Sequence, residues 1–331
     1  MCGIFGFAKS SNRQSDRQLD ILRDVFTELT DESSIRGTDS TGFSIINPNY
    51  RETYKTLQDS SSLVDSNVWD TEVLSKINRE TTIVMGHVRL ATHGTVKVSN
   101  AHPFDVGTVT GVHNGIIHNY NKVAKKLGKT SPEVDSQVLF QSLNKREMSK
   151  AFEDIDGDFA ITWVKDSNSK VHLARESGRP MVVAYWKKAR VLLWASTKEI
   201  LKYAMTRAGL VLPISTVPTD YVFTYDTDKF NSKPSYNKVE FETKSQYSYK
   251  TTYATDSYNG VNYYSYNYSP ASMLSNNITM IEESKDMCKY CYEWMPIEEL
   301  YIDEYNKNVC IDCEYISEEY KNKGSELIDE K

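Results

Sequence analysis

Short apolar segments recur along the first two-thirds of this chain, and turn-forming residues bound most of them. Runs of four to eight such residues are typical of β-strands. The predicted strands are residues 3–8, 81–88, 108–113, 159–164, 181–185 and 191–195, and the predicted helices are 16–29, 134–143 and 198–207. Because the strands follow one another in runs and do not alternate regularly with helices, we expect an α+β domain of mainly antiparallel sheets with helices outside.

The composition is that of an ordinary globular protein. Of the 331 residues, 39% are hydrophobic and 25% are charged, so a sizeable core is possible. No apolar run approaches the roughly 18 residues that a membrane-spanning helix needs, and we expect no membrane partner. The first residues lack the basic and apolar stretches of a cleavable leader, so we expect a cytoplasmic protein. A net charge of −6 argues against a nucleic-acid partner.

Changes in composition divide the chain into four predicted regions. Residues 2–230 hold the strands and helices described above. Residues 231–280 are rich in Tyr, Ser and Asn, which predicts a flexible linker. The alternation of tyrosines at 263–268 leaves an edge strand as the alternative there. Residues 281–316 form a small acidic module, and residues 317–331 form a charge-rich acidic tail.

The acidic module contains two Cys-x-x-Cys pairs. They are Cys288 with Cys291 and Cys310 with Cys313, and 18 residues separate the pairs. This spacing is typical of a four-cysteine structural zinc site in a zinc-ribbon-like module. Free thiols, a redox pair and an iron–sulfur site are the alternatives. Because the module and its thiolates are negatively charged, we expect a structural or protein-docking role and no phosphate partner.

The residue after the initiator methionine is a cysteine. If Met1 is removed, Cys2 carries both a thiol and the free α-amino group of the mature chain. Such a residue needs no separate histidine, because its own amine can take the thiol proton directly or through a water. Cysteine is also small enough for ordinary removal of the preceding methionine. Cys2 is therefore a candidate nucleophile, although a Met-Cys start by itself is a common coincidence.

Five clusters of polar residues and glycines follow Cys2 in the predicted domain. Each is ambiguous by itself, since Asn114-Gly115 is typical of a hairpin turn and Arg89 of a surface ion pair. Their histidines fit packing or hydrogen bonding better than metal binding. The clusters are Arg36-Gly37-Thr38-Asp39-Ser40-Thr41-Gly42, Gly86-His87-Val88-Arg89-Leu90-Ala91-Thr92-His93-Gly94, Asn100-Ala101-His102-Pro103-Phe104, Val112-His113-Asn114-Gly115-Ile116-Ile117 and Asp135-Ser136.

Taken in this order behind Cys2-Gly3-Ile4-Phe5-Gly6, the clusters resemble the glutaminase domain of class II glutamine amidotransferases. These are N-terminal-nucleophile (Ntn) enzymes, joined to synthases in glucosamine-6-phosphate synthase and amidophosphoribosyltransferase. The resemblance covers residues 2–230 and implies a four-layer αββα sandwich of antiparallel sheets. Residues 155–160, 174–181 and 195–199 resemble structural turns and strand ends of the same family.

The resemblance implies a role for five positions. Cys2 would attack the side-chain amide carbon of L-glutamine, with its α-amine as the base. The Asn114 side chain and the Gly115 backbone N–H would form the oxyanion hole. Arg89 would bind the α-carboxylate of glutamine, and Asp135 would bind its α-ammonium group. This chemistry needs no cofactor.

Other matched positions would support the glutamine pocket, and two positions depart from the family. The loop that closes over glutamine matches Thr92, His93 and Gly94, and a pocket-supporting segment matches Arg36 with Asp39. Leu90 stands where many members have a Trp that covers the site. Where the family commonly has Ser-Asp-Thr-Glu, residues 134–137 of this chain are Val-Asp-Ser-Gln, so the aspartate is the same and the other three positions differ.

The residues after the predicted domain limit the function. About 100 residues follow it, and they contain no Gly-rich phosphate loop. The leading hypothesis is a glutamine amidotransferase subunit that releases ammonia for a separate synthase chain. One alternative is an Ntn amidase acting by itself on another γ-glutamyl compound. The other is a non-catalytic scaffold that binds a partner through the cysteine module.

Overall fold

The protein's structure is a computed structural model. It describes residues 2–91, 94–130, 132–230, 234 and 236–241, and the backbone of four short strands between 285 and 310. The chain forms two compact units, Met1–Gln246 and Tyr247–Lys331. Each unit is described by itself. Among the described residues, no helix is both long enough and apolar enough to span a membrane.

The first unit contains thirteen described strands and six described α-helices. The strands are β1 (Gly3–Lys9), β2 (Ser40–Ile46), β3 (Arg51–Thr56), β4 (Ile83–Arg89), β5 (Phe104–Val106), β6 (Val109–Ile117), β7 (Gly157–Lys165), β8 (Lys170–Arg175), β9 (Val182–Trp186), β10 (Val191–Ala195), β11 (Ile214–Thr216), β12 (Tyr221–Asp226) and β13 (Tyr236–Glu240). The helices are α1 (Asp16–Glu32), α2 (Ser60–Val64), α3 (Tyr120–Lys126), α4 (Ser136–Lys145), α5 (Met148–Glu153) and α6 (Lys198–Arg207).

The strands form two antiparallel sheets. The first sheet has seven strands in the order β11-β9-β10-β1-β4-β2-β3, and the second has six in the order β13-β12-β8-β7-β6-β5. In the first sheet β1 lies between β10 and β4, so both of its edges are hydrogen-bonded. In the second sheet β6 pairs with β7 over nine residues but with β5 over only three.

Side chains alternate between the two faces of each sheet, and this builds three apolar cores. Along β1, Phe5 and Phe7 pack in a core with helices α1 and α6. Ile4 and Ala8 point the other way, into a core shared with the second sheet. The third core joins the second sheet to α3, α4 and α5. The order helices, sheet, sheet, helices confirms the predicted α+β sandwich of antiparallel sheets.

Helix α1 shows how local sequence fixes these layers. A capping box starts the helix, because the Gln18 N–H donates to the Ser15 hydroxyl and the Ser15 N–H donates to the Gln18 side chain. Its apolar residues recur on one side, and Leu22, Phe26 and Leu29 are fully buried. Phe26 stacks on Trp69 with 5.9 Å between ring centroids. The helix therefore covers the outer face of the first sheet.

Two expectations differ from the structure at element boundaries. Strand β6 continues to Ile117, so Asn114-Gly115 lies within a strand and the hairpin turn considered for it is wrong. Strand β13 pairs with β12 inside the range assigned to the linker, and Phe241 packs on Phe152 with 4.7 Å between rings. The second sheet thus includes residues beyond 230. The remainder of the linker and the acidic tail, 317–331, lie outside the described residues.

The described part of the second unit is two short hairpins. Strand β14 (Lys285–Met287) pairs with β15 (Trp294–Pro296), and β16 (Leu300–Ile302) pairs with β17 (Asn308–Cys310). The predicted zinc ligands Cys288, Cys291 and Cys313 lie outside the described residues, and only the backbone of Cys310 is described. Elsewhere in the described chain, no group of three or more His, Cys, Asp or Glu side chains could hold a metal ion. The zinc site stays a prediction.

Candidate active site

Cys2 lies immediately before β1, at the end of the first sheet where β4 finishes. Because Gly3 pairs with Val88, Cys2 and Arg89 occupy adjoining ends of two antiparallel strands. The Cys2 thiol donates to the Leu90 carbonyl at 3.5 Å. Burial raises the pKa of this thiol, while the Leu90 bond and the cations Arg89 and Arg36 act in the opposite direction. The nucleophile predicted from sequence therefore lies in a cationic, partly buried position.

The segment Arg36–Asp39 holds Cys2 and the end of β4 together. The Arg36 Nε–H donates to the Cys2 carbonyl at 2.8 Å. The Asp39 N–H donates to the Arg89 carbonyl at 2.9 Å, and the Ala91 N–H donates to the Asp39 carboxylate at 2.7 Å. A Cβ at position 37 would lie 2.4 Å from the Arg89 carbonyl carbon, so only glycine permits this approach. Arg36 thus contacts the predicted nucleophile directly, and its role in supporting the glutamine pocket stays a prediction.

Arg89 is 4% exposed, and it directs its guanidinium toward the loop that follows β4. Its NH1 donates to the Thr95 carbonyl at 3.4 Å, and Asn100 Nδ2 donates to the same oxygen at 3.0 Å. Leu90, which replaces the family's Trp, is 42% exposed. The predicted loop residues Thr92 and His93 lie outside the described residues. At the end of β4, the buried Arg89 is thus followed directly by the exposed Leu90.

Glu133 fastens this loop to the segment that carries Asp135. Its carboxylate accepts from the Thr95 N–H and hydroxyl, both at 2.7 Å, and forms an ion pair with Lys97. The Lys97 ammonium and the Thr95 donors lower the pKa of Glu133 to about 2, so the carboxylate stays charged at neutral pH. Gly94 has a φ of +75°, a left-handed conformation that favours glycine. The loop is therefore attached to the segment that precedes α4.

Asn114 and Gly115 lie in β6 of the second sheet. The Asn114 side chain is 1% exposed, and its Nδ2 has no hydrogen-bond partner among the described residues. Such a donor can donate a hydrogen bond to an oxygen of a ligand or of a water. Gly115 has a φ of +151°, and a Cβ there would lie 1.9 Å from the Asp158 carbonyl. The strand can therefore take this path only with glycine at position 115.

Asp135 is 5% exposed and precedes helix α4. Its Oδ2 accepts from the backbone N–H of Ile117, in β6, at 2.7 Å. The next residue, Ser136, hydrogen-bonds through its hydroxyl to His113 Nδ1 at 2.8 Å. The start of α4 is thus attached to the strand that carries Asn114, and the carboxylate predicted to bind the ammonium group lies beside that strand.

Arg179 and Asp158 are two further charged residues near the site, and both belong to segments that matched structural parts of the family. Arg179 NH2 lies 3.6 Å from Asp158 Oδ2. Its charge contributes to the lowering of the pKa of Arg36 and of His113, for which burial is the main cause. Arg179 thus lies near groups of both sheets. No motif marked it, because its segment 174–181 matched a structural turn of the family.

The first and second sheets therefore meet at one end with complementary groups. A thiol, a buried guanidinium and their supporting segment come from the first sheet. A buried amide donor without a described partner and a carboxylate come from the second. This set can hold a zwitterionic amino acid and stabilise charge on an oxygen beside a nucleophile.

The chain is similar to known glutamine amidotransferases. Residues 87–203 match the family model described as a glutamine amidotransferase domain. Among curated proteins, the glutamine–fructose-6-phosphate aminotransferase (isomerizing) of Helicobacter pylori is 28% identical over 214 residues, which are 61% of this chain and 33% of that protein. The Fusobacterium nucleatum enzyme of the same name is 29% identical over 258 residues, covering 73% and 39%. This chain thus spans about a third of the length of these curated relatives.

Solved structures share the fold. The glutamine phosphoribosylpyrophosphate amidotransferase of B. subtilis superposes with a TM-score of 0.53 at 16% identity, covering 73% of this chain and 49% of that one. A structure described as the allosteric regulatory enzyme of purine biosynthesis gives 0.55 at 17% identity, covering 74% and 50%. At such identities the likeness concerns the fold. Residues 87–203 thus match a glutamine amidotransferase domain, and the two solved amidotransferase-related structures share the fold of this chain.

Proposed function

We propose that this protein hydrolyses L-glutamine to glutamate and ammonia, with Cys2 as the nucleophile after removal of Met1. The observation that carries the proposal is the position of Cys2 beside the buried Arg89, in a fold whose second sheet holds the Asn114 amide, a donor with no partner among the described residues. Each of these groups matches one requirement of the reaction.

Glutamine binding requires two opposite charges. Arg89 binds the α-carboxylate, because a planar guanidinium can donate two parallel hydrogen bonds to it. Asp135 binds the α-ammonium group. Both side chains are at most 5% exposed, so water screens these contacts little. The free amino-acid head group is therefore recognised, and γ-glutamyl compounds with a blocked head group are rejected.

The chemistry then proceeds in two acyl transfers. The Cys2 sulfur forms a bond to the amide carbon of glutamine while its proton passes to the Cys2 α-amine. The tetrahedral intermediate collapses and the C–N bond of the glutamine amide breaks. The α-ammonium group of Cys2 gives its proton to the departing ammonia. Water next attacks the γ-glutamyl thioester, its proton passes through the amine, and glutamate leaves with the thiol restored. No cofactor takes part in these steps.

The negative oxygen of each tetrahedral intermediate needs donors that are already in position. Asn114 Nδ2 and the Gly115 N–H supply them. The lack of a described partner for Asn114 Nδ2 supports this role, because a donor held ready for an oxyanion has no strong partner in the resting protein. Removal of one such donor typically slows a reaction by about 10²–10³.

We further propose that the ammonia passes to a separate synthase chain. Residues 231–331 contain no Gly-rich phosphate loop. The two curated relatives compared above are named as aminotransferases of fructose 6-phosphate, which is the kind of transfer in which ammonia is consumed. We place the reaction in the cytoplasm, where a reduced Cys2 persists.

Intact-mass measurement followed by a glutaminase assay tests the proposal. We expect the chain to begin at Cys2 and to release glutamate and ammonia in equal amounts from glutamine. Retention of Met1 in fully active protein would refute the N-terminal mechanism. Activity confined to another γ-glutamyl compound would favour the amidase alternative, and absence of any hydrolysis would favour the scaffold.

The cysteine module is proposed to bind one structural zinc ion through Cys288, Cys291, Cys310 and Cys313. The two described hairpins in this unit are the supporting strands expected of such a module. Elemental analysis of the purified chain should give one zinc per molecule, and Cys288→Ser with Cys291→Ser should remove it. A metal-free chain, or one containing iron, would contradict the proposal.

A further inference from the structure

One edge of β6 has strand partners along only part of its length. Strand β5 pairs with residues 109–111 of β6, and the pairing stops there. Alternate residues of a strand direct their N–H and C=O groups to the same edge. His113, Gly115 and Ile117 therefore present their backbone groups to the edge that β5 leaves. This edge includes the Gly115 N–H, one of the two proposed oxyanion donors.

Side chains from outside the sheet bind this edge on both sides of Gly115. Two residues before it, the His113 carbonyl accepts a hydrogen bond from His87 Nε2 at 3.0 Å. Two residues after it, the Ile117 N–H donates to Asp135 at 2.7 Å. His87 belongs to β4 of the first sheet, two residues before Arg89. A single buried side chain thus joins the strand that ends at Arg89 to the strand that carries Asn114.

The chemistry of this bond fixes the state of His87. A carbonyl has no proton to donate, so Nε2 must carry the hydrogen. Burial lowers the pKa of His87 to about 3, so the ring is neutral at physiological pH. His102 stacks on the ring with 4.1 Å between centroids, which restricts its rotation. The donor is therefore held in one tautomer and one orientation.

We infer that His87 is a positioning residue for the oxyanion hole: it sets the plane of the His113–Asn114 peptide and thereby the placement of the Asn114 and Gly115 donors. The inference rests on the proposed function. Oxyanion donors act only when they lie at hydrogen-bond distance from the negative oxygen, and displacement by about 1 Å can cost about 10²-fold in rate. Without His87, the His113 carbonyl loses its described partner across the sheets. The described backbone bond that remains on this edge beside Gly115 is the one from the Ile117 N–H to Asp135.

Two substitutions separate positioning from general packing. In His87→Gln the side-chain amide nitrogen can occupy the place of Nε2. The asparagine side chain of His87→Asn is one carbon shorter, so its amide nitrogen does not reach that place. We expect His87→Asn to lower kcat about 10- to 100-fold with little change in KM, and His87→Gln to recover at least about a third of the wild-type kcat. The matched control is His172→Asn, which removes another buried histidine that hydrogen-bonds to Thr224 at 2.8 Å in the second sheet. This control should keep the wild-type kcat.

Affinity for an aldehyde analogue gives the decisive readout. Glutamate γ-semialdehyde adds to a cysteine thiol and places a tetrahedral oxygen where the oxyanion forms, whereas glutamate does not. We expect His87→Asn to weaken aldehyde binding by the same factor as kcat while glutamate binding changes less than about two-fold. Equal losses for both ligands, or no loss of kcat, would overturn the inference. Absence of glutaminase activity in the wild-type protein would instead refute the proposed function.

Nuclear magnetic resonance of the wild-type protein provides a test that no variant can obscure. The ¹⁵N shifts of the His87 ring report which nitrogen carries the hydrogen. We expect the Nε2–H tautomer, and a change of its proton shift on binding the aldehyde that binding of glutamate does not produce. A His87 ring protonated only at Nδ1 would overturn the inference, because the bond to the His113 carbonyl could not then exist.

Discussion

The two sheets of the domain contribute different things to the same site. The first sheet supplies groups at the ends of its strands: Cys2 just before β1 and Arg89 at the end of β4. The second sheet supplies groups from within a strand, Asn114 and Gly115, which lie in the middle of the hydrogen-bonded pairing of β6 with β7. Replacing a side chain at the end of a strand changes that side chain without changing the backbone path of the sheet. Groups within a paired strand depend on the path of the backbone.

This difference suggests a division of labour. In the proposed function, the first sheet provides the nucleophile and Arg89 for the α-carboxylate. The second sheet provides the oxyanion donors, and Asp135 lies beside it for the α-ammonium group. Catalysis then depends on the alignment of the sheets across their shared core, where Ile4 of β1 and Ala160 of β7 are both fully buried. Substitution of Cys2 or Arg89 should therefore alter chemistry or substrate binding, whereas substitution of Asn114 should alter transition-state stabilisation.

The largest expected effect is that of Cys2→Ala in the first sheet. Loss of the nucleophile should reduce glutamine hydrolysis by at least about 10⁴-fold, because the acyl-enzyme can no longer form. Calorimetry should still detect glutamine, with a Kd within about three-fold of wild type, since Arg89 and Asp135 are intact. Residual hydrolysis above a few per cent would break the assignment of chemistry to the first sheet.

Asn114→Ala tests the second sheet and should lower kcat by about 10²–10³ with KM nearly unchanged. Steady-state kinetics over a range of glutamine concentrations separates the two parameters. Asn119→Ala is the control, because Asn119 donates to the Asp154 carbonyl at 2.9 Å just beyond β6. A change in KM alone for Asn114→Ala would place that side chain in substrate binding and contradict the division.

Arg89→Lys should lower kcat/KM about 10- to 100-fold, mainly through KM, because an ammonium group cannot bind a carboxylate bidentately. The specificity of the effect is measured with 4-aminobutanamide, which is glutamine without its α-carboxylate. Wild type should strongly prefer glutamine, and the variant should lose most of that preference. An unchanged preference would show that another group binds the carboxylate.

Glu133→Gln should have a smaller effect, raising KM about two- to five-fold, because the lost ion pair with Lys97 is largely exposed to water. At high salt the KM of the wild-type protein should approach that of the variant, because salt screens an exposed ion pair. Because the pKa of Glu133 is about 2, wild-type KM should show no titration of this contact between pH 5 and 8. The matched control is Glu147→Gln, which alters an exposed glutamate in front of α5.

The smallest effect on activity is expected from Lys9→Met, at the opposite end of β1 from Cys2. Lys9 is 0% exposed, donates to the Arg79 carbonyl at 2.8 Å, and has its pKa lowered to about 7 by burial. The unfolded chain binds more protons between pH 7 and 10, so wild-type stability should rise with pH in that window. Melting curves at pH 7 and 9 should show a smaller rise for the variant, with kcat unchanged. An equal rise in both proteins would contradict this.

The sequence predicted the fold best where patterns are local. Strand β10 and helix α6 lie where the apolar spacing places them, and β1 begins as predicted and ends one residue later. Strand β3, Arg-Glu-Thr-Tyr-Lys-Thr, was not predicted, because as an edge strand it buries no complete face. The end of β6 was misplaced because Asn-Gly has a strong turn preference that pairing with β7 overrides.

For the site, the sequence indicated which residues take part but not how they are supported. The bond from His87 to the His113 carbonyl joins residues 26 apart in two different sheets, and no spacing rule predicts such a contact. The same holds for Arg179, whose approach to the site depends on the path of a turn. Contacts of this kind arise from the packing of the two sheets, which periodicity does not encode.

The most direct test of the central claim is mass spectrometry of the protein after reaction with a diazoketone analogue of glutamine. We predict one covalent adduct per chain, located on an N-terminal peptide that begins at Cys2, and full protection by excess glutamine. Loss of glutaminase activity should follow the same time course as adduct formation. An adduct on another residue, or an adduct on Cys2 in a chain that keeps Met1 and full activity, would contradict the account.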